Sequence, residues 1–452
     1  MTRLFGTDGI RGVANQPPLT PELAFRLGRA AVAVLQGKRR ASRVRLVVGR
    51  DTRLSGPLLE QALISGALSA GADCLPAGIL PTPAIACLTR QLEADGGVVI
   101  SASHNLFEDN GIKFFGSEGM KLPDPWEVEI EALLDSQDDG PRPIGQAVGR
   151  LVPYERAEAE YLAFCRRALP GDLSGISVVL DCAHGATYRV APRLFRSLGA
   201  RVACLGVRPD GRNINRRAGA LNPEGLQKKV RASGAQIGLA FDGDGDRLIT
   251  VDEAGEVRDG DFILAICGRH LASRGKLPGG IVVSTVMANL GLDRSLEEAG
   301  IRMVKTPVGD RYVLEEMQRI GAVLGGEQSG HVIFLDHATT GDGIISALQL
   351  LAIMKETGEP LSALSRCLKK FPQLLVNVRV RAKPPVEEIP RLLDRVKEME
   401  ATLDHRGRIL VRYSGTEPLA RVMIEGEDRD TIETMARELA QIIASAIGLE
   451  ER

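Results

Sequence analysis

The sequence predicts an α/β protein: three similar units whose alternating strands and helices imply parallel sheets, followed by a smaller C-terminal two-layer α+β domain. Two observations carry this. A β-branched run, a glycine-containing loop and a helical pattern recur in that order three times, and from about residue 371 the order changes to β-α-β-β-α. The length of 452 residues would suit roughly three ordinary domains, and the small terminal unit makes four.

The first unit is read from Val44 to Val48 as a strand, the loop Gly49-Arg50-Asp51-Thr52-Arg53, and a helix through Leu58, Leu59, Ala62 and Leu63. The second has Val178-Val179-Leu180-Asp181, the loop Ala183-His184-Gly185 and a helix ending near Gly199. The third has Ile281-Val282-Val283-Ser284 and a helix from Leu290 to Ala299. In the last domain, strands are expected at Leu375–Arg381, Ile409–Arg412 and Arg421–Glu425, with helices at Val386–Leu403 and Thr431–Ile447. Breaks at Asp138-Asp139-Gly140-Pro141, at the 252–260 turn and at Phe371-Pro372 give domains 1–150, 151–256, 257–370 and 371–452.

Composition narrows the function. Lys and Arg number 57 against 58 Asp and Glu, which argues against a polybasic protein built to coat nucleic acid or anionic membrane. No run approaches 18 apolar residues, and the start Met1-Thr2-Arg3-Leu4 lacks an apolar signal core. Seven scattered cysteines without a Cys-x-x-Cys pair fit a reduced compartment, so a cytoplasmic protein is expected.

Asp242-Gly243-Asp244-Gly245-Asp246 carries the sharpest chemistry. Three carboxylates separated only by glycine can converge on one hard cation, and without a cation they repel. An EF-hand fails, because Arg247 stands where that loop needs glycine and the flanks read as strands. A strand-loop-strand site with open coordination suits Mg²⁺. Ser103 closes the strand Gly97-Val98-Val99-Ile100, and Lys113 follows on the next strand; a serine that carries phosphate needs such cationic neighbours. Glu327, Ser329 and His331 share one glycine-flanked turn able to meet vicinal hydroxyls. Arg412, Ser414, Gly415, Thr416 and Arg421 form a loop suited to phosphate. There is no Walker A sequence, no Gly-x-Gly-x-x-Gly and no Gly-x-Ser-x-Gly, so NTPase, dinucleotide and serine-hydrolase readings lose their usual support.

These loops, one per domain and in this order, resemble the α-D-phosphohexomutase family over essentially the whole chain. Phe5-Gly6-Thr7-Asp8-Gly9-Ile10-Arg11-Gly12 is similar to its N-terminal signature. Glu327-Gln328-Ser329-Gly330-His331, Asp181-Cys182-Ala183-His184-Gly185-Ala186-Thr187 and Val308-Gly309-Asp310-Arg311-Tyr312-Val313 resemble the bacterial branch that acts on glucosamine phosphates. The resemblance implies three similar α/β domains with mixed sheets and a smaller C-terminal two-layer α+β domain, arranged around a central cleft. It implies a phosphoserine at Ser103 that holds one Mg²⁺ with Asp242, Asp244 and Asp246. Arg247 would sit beside the metal, and Lys113 and His331 would handle protons. Arg11, Thr306, Gly309, Asp310, Glu327 and Ser329 would bind the sugar phosphate. Arg412, Ser414, Gly415, Thr416 and Arg421 would hold the phosphate not being transferred.

The implied reaction interconverts glucosamine 6-phosphate and glucosamine 1-phosphate. Glucosamine 1,6-bisphosphate is the intermediate, and glucose or glucosamine 1,6-bisphosphate the activator. The product would supply UDP-N-acetylglucosamine for cell-wall precursors. The partner is a phosphosugar, with no nucleic acid or membrane, and a homodimer is compatible with it. Glucose or mannose phosphate mutases and a non-catalytic phosphosugar or Ca²⁺ module are the competing readings. One departure stands out: Leu106 replaces the family's usual proline after Ser-His-Asn, which bears on loop rigidity because proline fixes φ.

Overall fold

The computed structural model describes residues 4–6, 8–39, 43–136, 142–404, 406–414 and 418–449. The Asp138–Pro141 break, Thr7 of the N-terminal signature, and Gly415 and Thr416 of the expected phosphate loop lie outside them.

The three α/β units are built on one strand order. In the first sheet, Arg45–Arg50 lies parallel between Asp73–Ile79 and Gly96–Ile100, and Gly96–Ile100 turns back antiparallel into Asp109–Gly116. The second sheet repeats this with Ser177–Asp181 between Arg201–Leu205 and Ile237–Phe241, the latter antiparallel to Leu248–Asp252. The third does so with Ile281–Thr285 between Arg302–Thr306 and Leu324–Gly326, the latter antiparallel to Val332–Phe334. The short edge strands Ile10–Val13 and Val257–Arg258 extend the first two sheets. Each central strand is apolar and β-branched because helices cover both of its faces; Val47, Val48, Val98 and Val99 are fully buried. The recurrence read from the sequence is thus a recurrence of sheets that are parallel at one side and antiparallel at the other.

By its contacts the chain divides into two compact units. One comprises residues 1–287 and 300–366, the other 288–299 and 367–452. The second unit holds an antiparallel sheet in the order Gln373–Arg379, Leu419–Gly426, Gly407–Tyr413, packed by helices Leu392–Leu403 and Arg429–Ile447. The helix Leu290–Glu298, which links two strands of the third sheet, groups with this unit. Its N-cap explains why. Asn289 donates to Phe371 O (3.0 Å) and to the fully buried Glu425 (3.1 Å), and Arg408 Nε donates to the same carboxylate (2.6 Å).

One expected element is corrected. The helix expected over Val386–Leu403 is a single 3₁₀ turn at Val386–Glu388, then a helix over Leu392–Leu403. Pro390 supplies no N–H and pushes its predecessor out of the helical region, and Arg391 follows at φ +64°.

Candidate functional site

The common strand order gives three functional loops one address. Ser103, the aspartate triplet and the Glu327 turn each join the third strand of their unit to its antiparallel fourth. All three loops lie in the larger unit, and the aspartate loop touches each of the other two. Ser103 Oγ donates to Asp242 Oδ2 at 2.6 Å. A Cβ on Gly243 would come within 2.5 Å of Ser103 O, so only glycine admits this approach. On the other side, Leu248 N donates to Gly330 O (3.0 Å), and Gly330, at φ +92°, has no room for a Cβ beside Leu248.

Asp242, Asp244 and Asp246 are buried, with one oxygen from each lying within 4.8 Å of the others. Burial, Asp246 and Asp244 together push the Asp242 carboxyl well above its ordinary range. Asp244 is buried too, yet Lys113 Nζ at 2.8 Å pulls it below its usual value. Asp244 Oδ1 and Asp246 Oδ1 are buried and accept no hydrogen bond among the described residues. Hard oxygen donors that accept no hydrogen bond, in a cluster that repels itself, fit a divalent cation such as Mg²⁺.

Ser103 is 1% exposed and sits at φ +51°, an uncommon backbone for serine. His104 Nδ1 lies 3.3 Å from its hydroxyl; burial, then Arg247 and Arg11, push His104 down to about 4, so it is neutral near pH 7. Sequence reading passed over this histidine.

The remaining charged residues form a closed ring. Lys113 lies 2.8 Å from both Asp244 Oδ2 and Asp8 Oδ2. Lys121 lies 2.6 Å from Asp8 Oδ1 and 2.6 Å from Asp310 Oδ2. His331 lies 3.7 Å from Asp310 and 3.6 Å from Asp246, which returns the ring to the metal loop. Burial works against the Lys113 charge, but Asp244, Asp8 and Asp246 outweigh it and hold the ammonium protonated. Burial likewise works against His331, and Asp246 and Asp310 push it up; the Gly341 N–H at 3.1 Å makes Nε2 an acceptor, which leaves Nδ1 to carry the proton toward Asp246. Arg11 pairs with Asp8, and Arg247 Nε lies 3.8 Å from Asp246. Arg11 Nε and Arg247 Nε are both buried without a hydrogen bond among the described residues. Asp8 was visible only as part of a signature, and Lys121 had no sequence signal, since its partners lie 113 and 189 positions away.

The sugar-loop candidates are partly gathered. Glu327 Oε1 accepts from Gly309 N (3.2 Å), and Ser329 Oγ lies 3.5 Å from Oε2. Thr306 ends the strand Arg302–Thr306, and its hydroxyl donates to Pro307 O (3.0 Å) and Ser284 O (3.4 Å). In the smaller unit, Arg412 and Arg421 face each other across antiparallel strands. Burial, then Arg421, push Arg412 down, and it makes no hydrogen bond or ion pair among the described residues. Two opposed cations on neighbouring strands destabilise each other unless an anion joins them. Lys383 adds a third cation, donating to Ser414 O at 2.6 Å.

Four family models, described as phosphoglucomutase/phosphomannomutase domains I, II, III and IV, match residues 2–140, 160–255, 259–371 and 375–442. A phosphoglucosamine mutase of Moorella thermoacetica is 56% identical over 443 residues, covering 98% of this chain and 99% of the relative. The crystal structure of a phosphoglucomutase/phosphomannomutase family protein from Burkholderia thailandensis aligns with TM-score 0.82 at 25% identity, covering 99% of this chain and 100% of that one. At 20% identity, an Aspergillus fumigatus N-acetylphosphoglucosamine mutase in complex with GlcNAc-6P and magnesium shares the fold, with TM-score 0.69 over 98% of this chain and 96% of its own. Four domains matched in order, with a relative of this identity along nearly the whole length, show that the chain belongs to the phosphoglucomutase/phosphomannomutase family, the α-D-phosphohexomutases, which are isomerases.

Proposed function

We propose that this phosphohexomutase interconverts glucosamine 6-phosphate and glucosamine 1-phosphate through a phosphoserine at Ser103. The observation that carries the reading is a buried serine hydroxyl 2.6 Å from Asp242, at the edge of a carboxylate cluster fit for Mg²⁺. The free hydroxyl oxygen of the bound monophosphate attacks the phosphorus on Ser103, the bond to Oγ breaks, and glucosamine 1,6-bisphosphate forms. After reorientation, Ser103 Oγ attacks the other phosphorus. That phosphorus leaves the sugar oxygen, which takes up the proton given up at the first step, and glucosamine 1-phosphate departs.

Lys113, held protonated, donates to an oxygen of the transferring group, and His331, with its proton on Nδ1 toward Asp246, stands beside the same loop. Arg11 and Arg247 present buried N–H groups to phosphate, Glu327 and Ser329 meet sugar hydroxyls, and Thr306, Gly309 and Asp310 line the loop beside them. Arg412, Ser414 and Arg421 take the phosphate that is not transferred. Mg²⁺ held by Asp242, Asp244, Asp246 and the phosphoserine would offset charge on the phosphoryl oxygens. The product would feed synthesis of UDP-N-acetylglucosamine, in the cytoplasm.

The test is turnover of glucosamine 6-phosphate with Mg²⁺, with and without a catalytic amount of glucose or glucosamine 1,6-bisphosphate, beside glucose and mannose 6-phosphates. The highest kcat/KM is expected for the amino sugar; a higher value for glucose or mannose phosphate reassigns the substrate. Ser103→Ala should abolish turnover and leave the fold intact. Full activity in that variant would sink the mechanism.

A further inference from the structure

Each half-reaction must find phosphorus and Ser103 in the same place, since misplacement of about 1 Å can cost roughly 100-fold in rate. Leu106 removes the stiffening a proline would give that loop, and the residue is 53% exposed. The loop is nonetheless held, and from beneath. Arg53, whose side chain is fully buried, donates from Nη2 to Ser103 O (3.0 Å) and Asn105 O (2.9 Å), and from Nη1 to Leu106 O. Asn215, from the second sheet's unit, donates its amide to Ser103 O and Asn105 O, both at 2.8 Å. The other end of the Ser103 peptide returns to the same place. Ser103 N donates to Ser101 Oγ (2.9 Å), Ser101 Oγ to Asp51 Oδ2 (2.6 Å), and Arg53 Nε pairs with that oxygen at 2.9 Å. Both the N–H and the C=O of Ser103 therefore end on one guanidinium.

We propose that Arg53 and Asn215 are positioning residues for phosphoryl transfer: they clamp the carbonyls of residues 103, 105 and 106 and keep Ser103 left-handed with its Oγ at the aspartate cluster. A planar guanidinium suits this task, because its donors fan out in fixed directions over three acceptors, whereas an ammonium is a single point. Asn215 is itself at φ +59°, so Asn215→Gly removes the amide without straining the backbone. The inference rests on the reading of Ser103 as the phosphoryl carrier.

The test compares wild type, Asn215→Gly and Arg53→Lys in full-length protein with Mg²⁺. Phosphoserine occupancy is read by intact mass, together with kcat, KM and Tm. Both variants are expected to lose about 10-fold or more in kcat while KM stays within about threefold, and to release bisphosphate intermediate or lose the serine phosphate to water faster than wild type. Arg53→Lys is expected to lose more, because one ammonium cannot span three carbonyls. If kcat in both variants stays within about twofold of wild type, or if kcat and Tm fall while KM rises by more than about threefold, the positioning role is overturned. Absence of phosphate on wild-type Ser103, even after bisphosphate treatment, would instead overturn the phosphoserine reading beneath it.

Discussion

The ammonium of Lys121 lies 2.6 Å from Asp310 Oδ2 and, on its other side, equally close to Asp8. It separates two carboxylates that would otherwise face each other, and Asp310 begins the helix Asp310–Ile320 directly after the proposed sugar loop. Lys121→Met is expected to cost about 3 kcal/mol of stability, as removal of one partner from a buried pair does. KM for sugar phosphate should rise about 10-fold, equivalent to losing about 1.4 kcal/mol of binding when the loop that Asp310 anchors is no longer held. Urea unfolding and initial-rate kinetics measure both; a variant matching wild type in each would leave the ring without a role.

The aspartate cluster is expected to trade stability for metal binding. Asp242→Asn removes one of three mutually repelling buried carboxylates, so the metal-free protein should gain roughly 1 kcal/mol. Thermal unfolding in EDTA and in Mg²⁺ reads this directly: Mg²⁺ should raise the wild-type Tm and hardly move that of the variant. An equal Mg²⁺ response in both would place the cation elsewhere.

Asp342 caps the helix Gly343–Thr357 by accepting from Ile344 N and Ile345 N, and it accepts from the Tyr161 hydroxyl at 2.9 Å. Burial outweighs these bonds and pushes its carboxyl up from 3.8 to about 6. A raised folded-state value means that its contribution is fully present below the unfolded value and is lost as pH rises through about 6. The difference of about two units is worth roughly 3 kcal/mol. Asn keeps the cap and cannot ionise, so Asp342→Asn should raise Tm at about pH 7.5 and give no such gain at about pH 4.5. A Tm difference independent of pH would contradict the assignment.

Arg412→Ala should separate binding from folding. Removing one of two opposed cations leaves stability within about 0.5 kcal/mol of wild type or slightly above it. Loss of a charged phosphate contact worth about 1.5–3 kcal/mol should raise KM at least about 10-fold. An unchanged KM would remove Arg412 from the phosphate site.

Features set by short-range spacing were legible before any coordinates. Asp242, Asp244 and Asp246 converge because two glycines let five residues curl, and that property needs no distant partner. Strands at Ile237–Phe241 and Leu248–Val251 were legible because apolar runs bounded by such a loop have few other folds open to them, and the second runs one residue further, to Asp252. The helix expected from Val386 failed where a local competitor, Pro390, outweighed the periodic pattern.

The sequence by itself determined the unit repeat, the glycine-spaced acidic triplet, a serine just past the strand Gly96–Ile100 and the basic character of the last loop, since all of these live in composition and in spacings of a few residues. Only the tertiary structure decided that three of these loops share one place in three like sheets. It alone brought Lys121 to Asp8 and Asp310, and closed Arg53 and Asn215 on the carbonyls around Ser103. Those partners lie 50 to 189 positions apart, and side chains so far separated meet only when packed sheets carry them together; Lys121 and Arg53 therefore read in the sequence as ordinary basic residues.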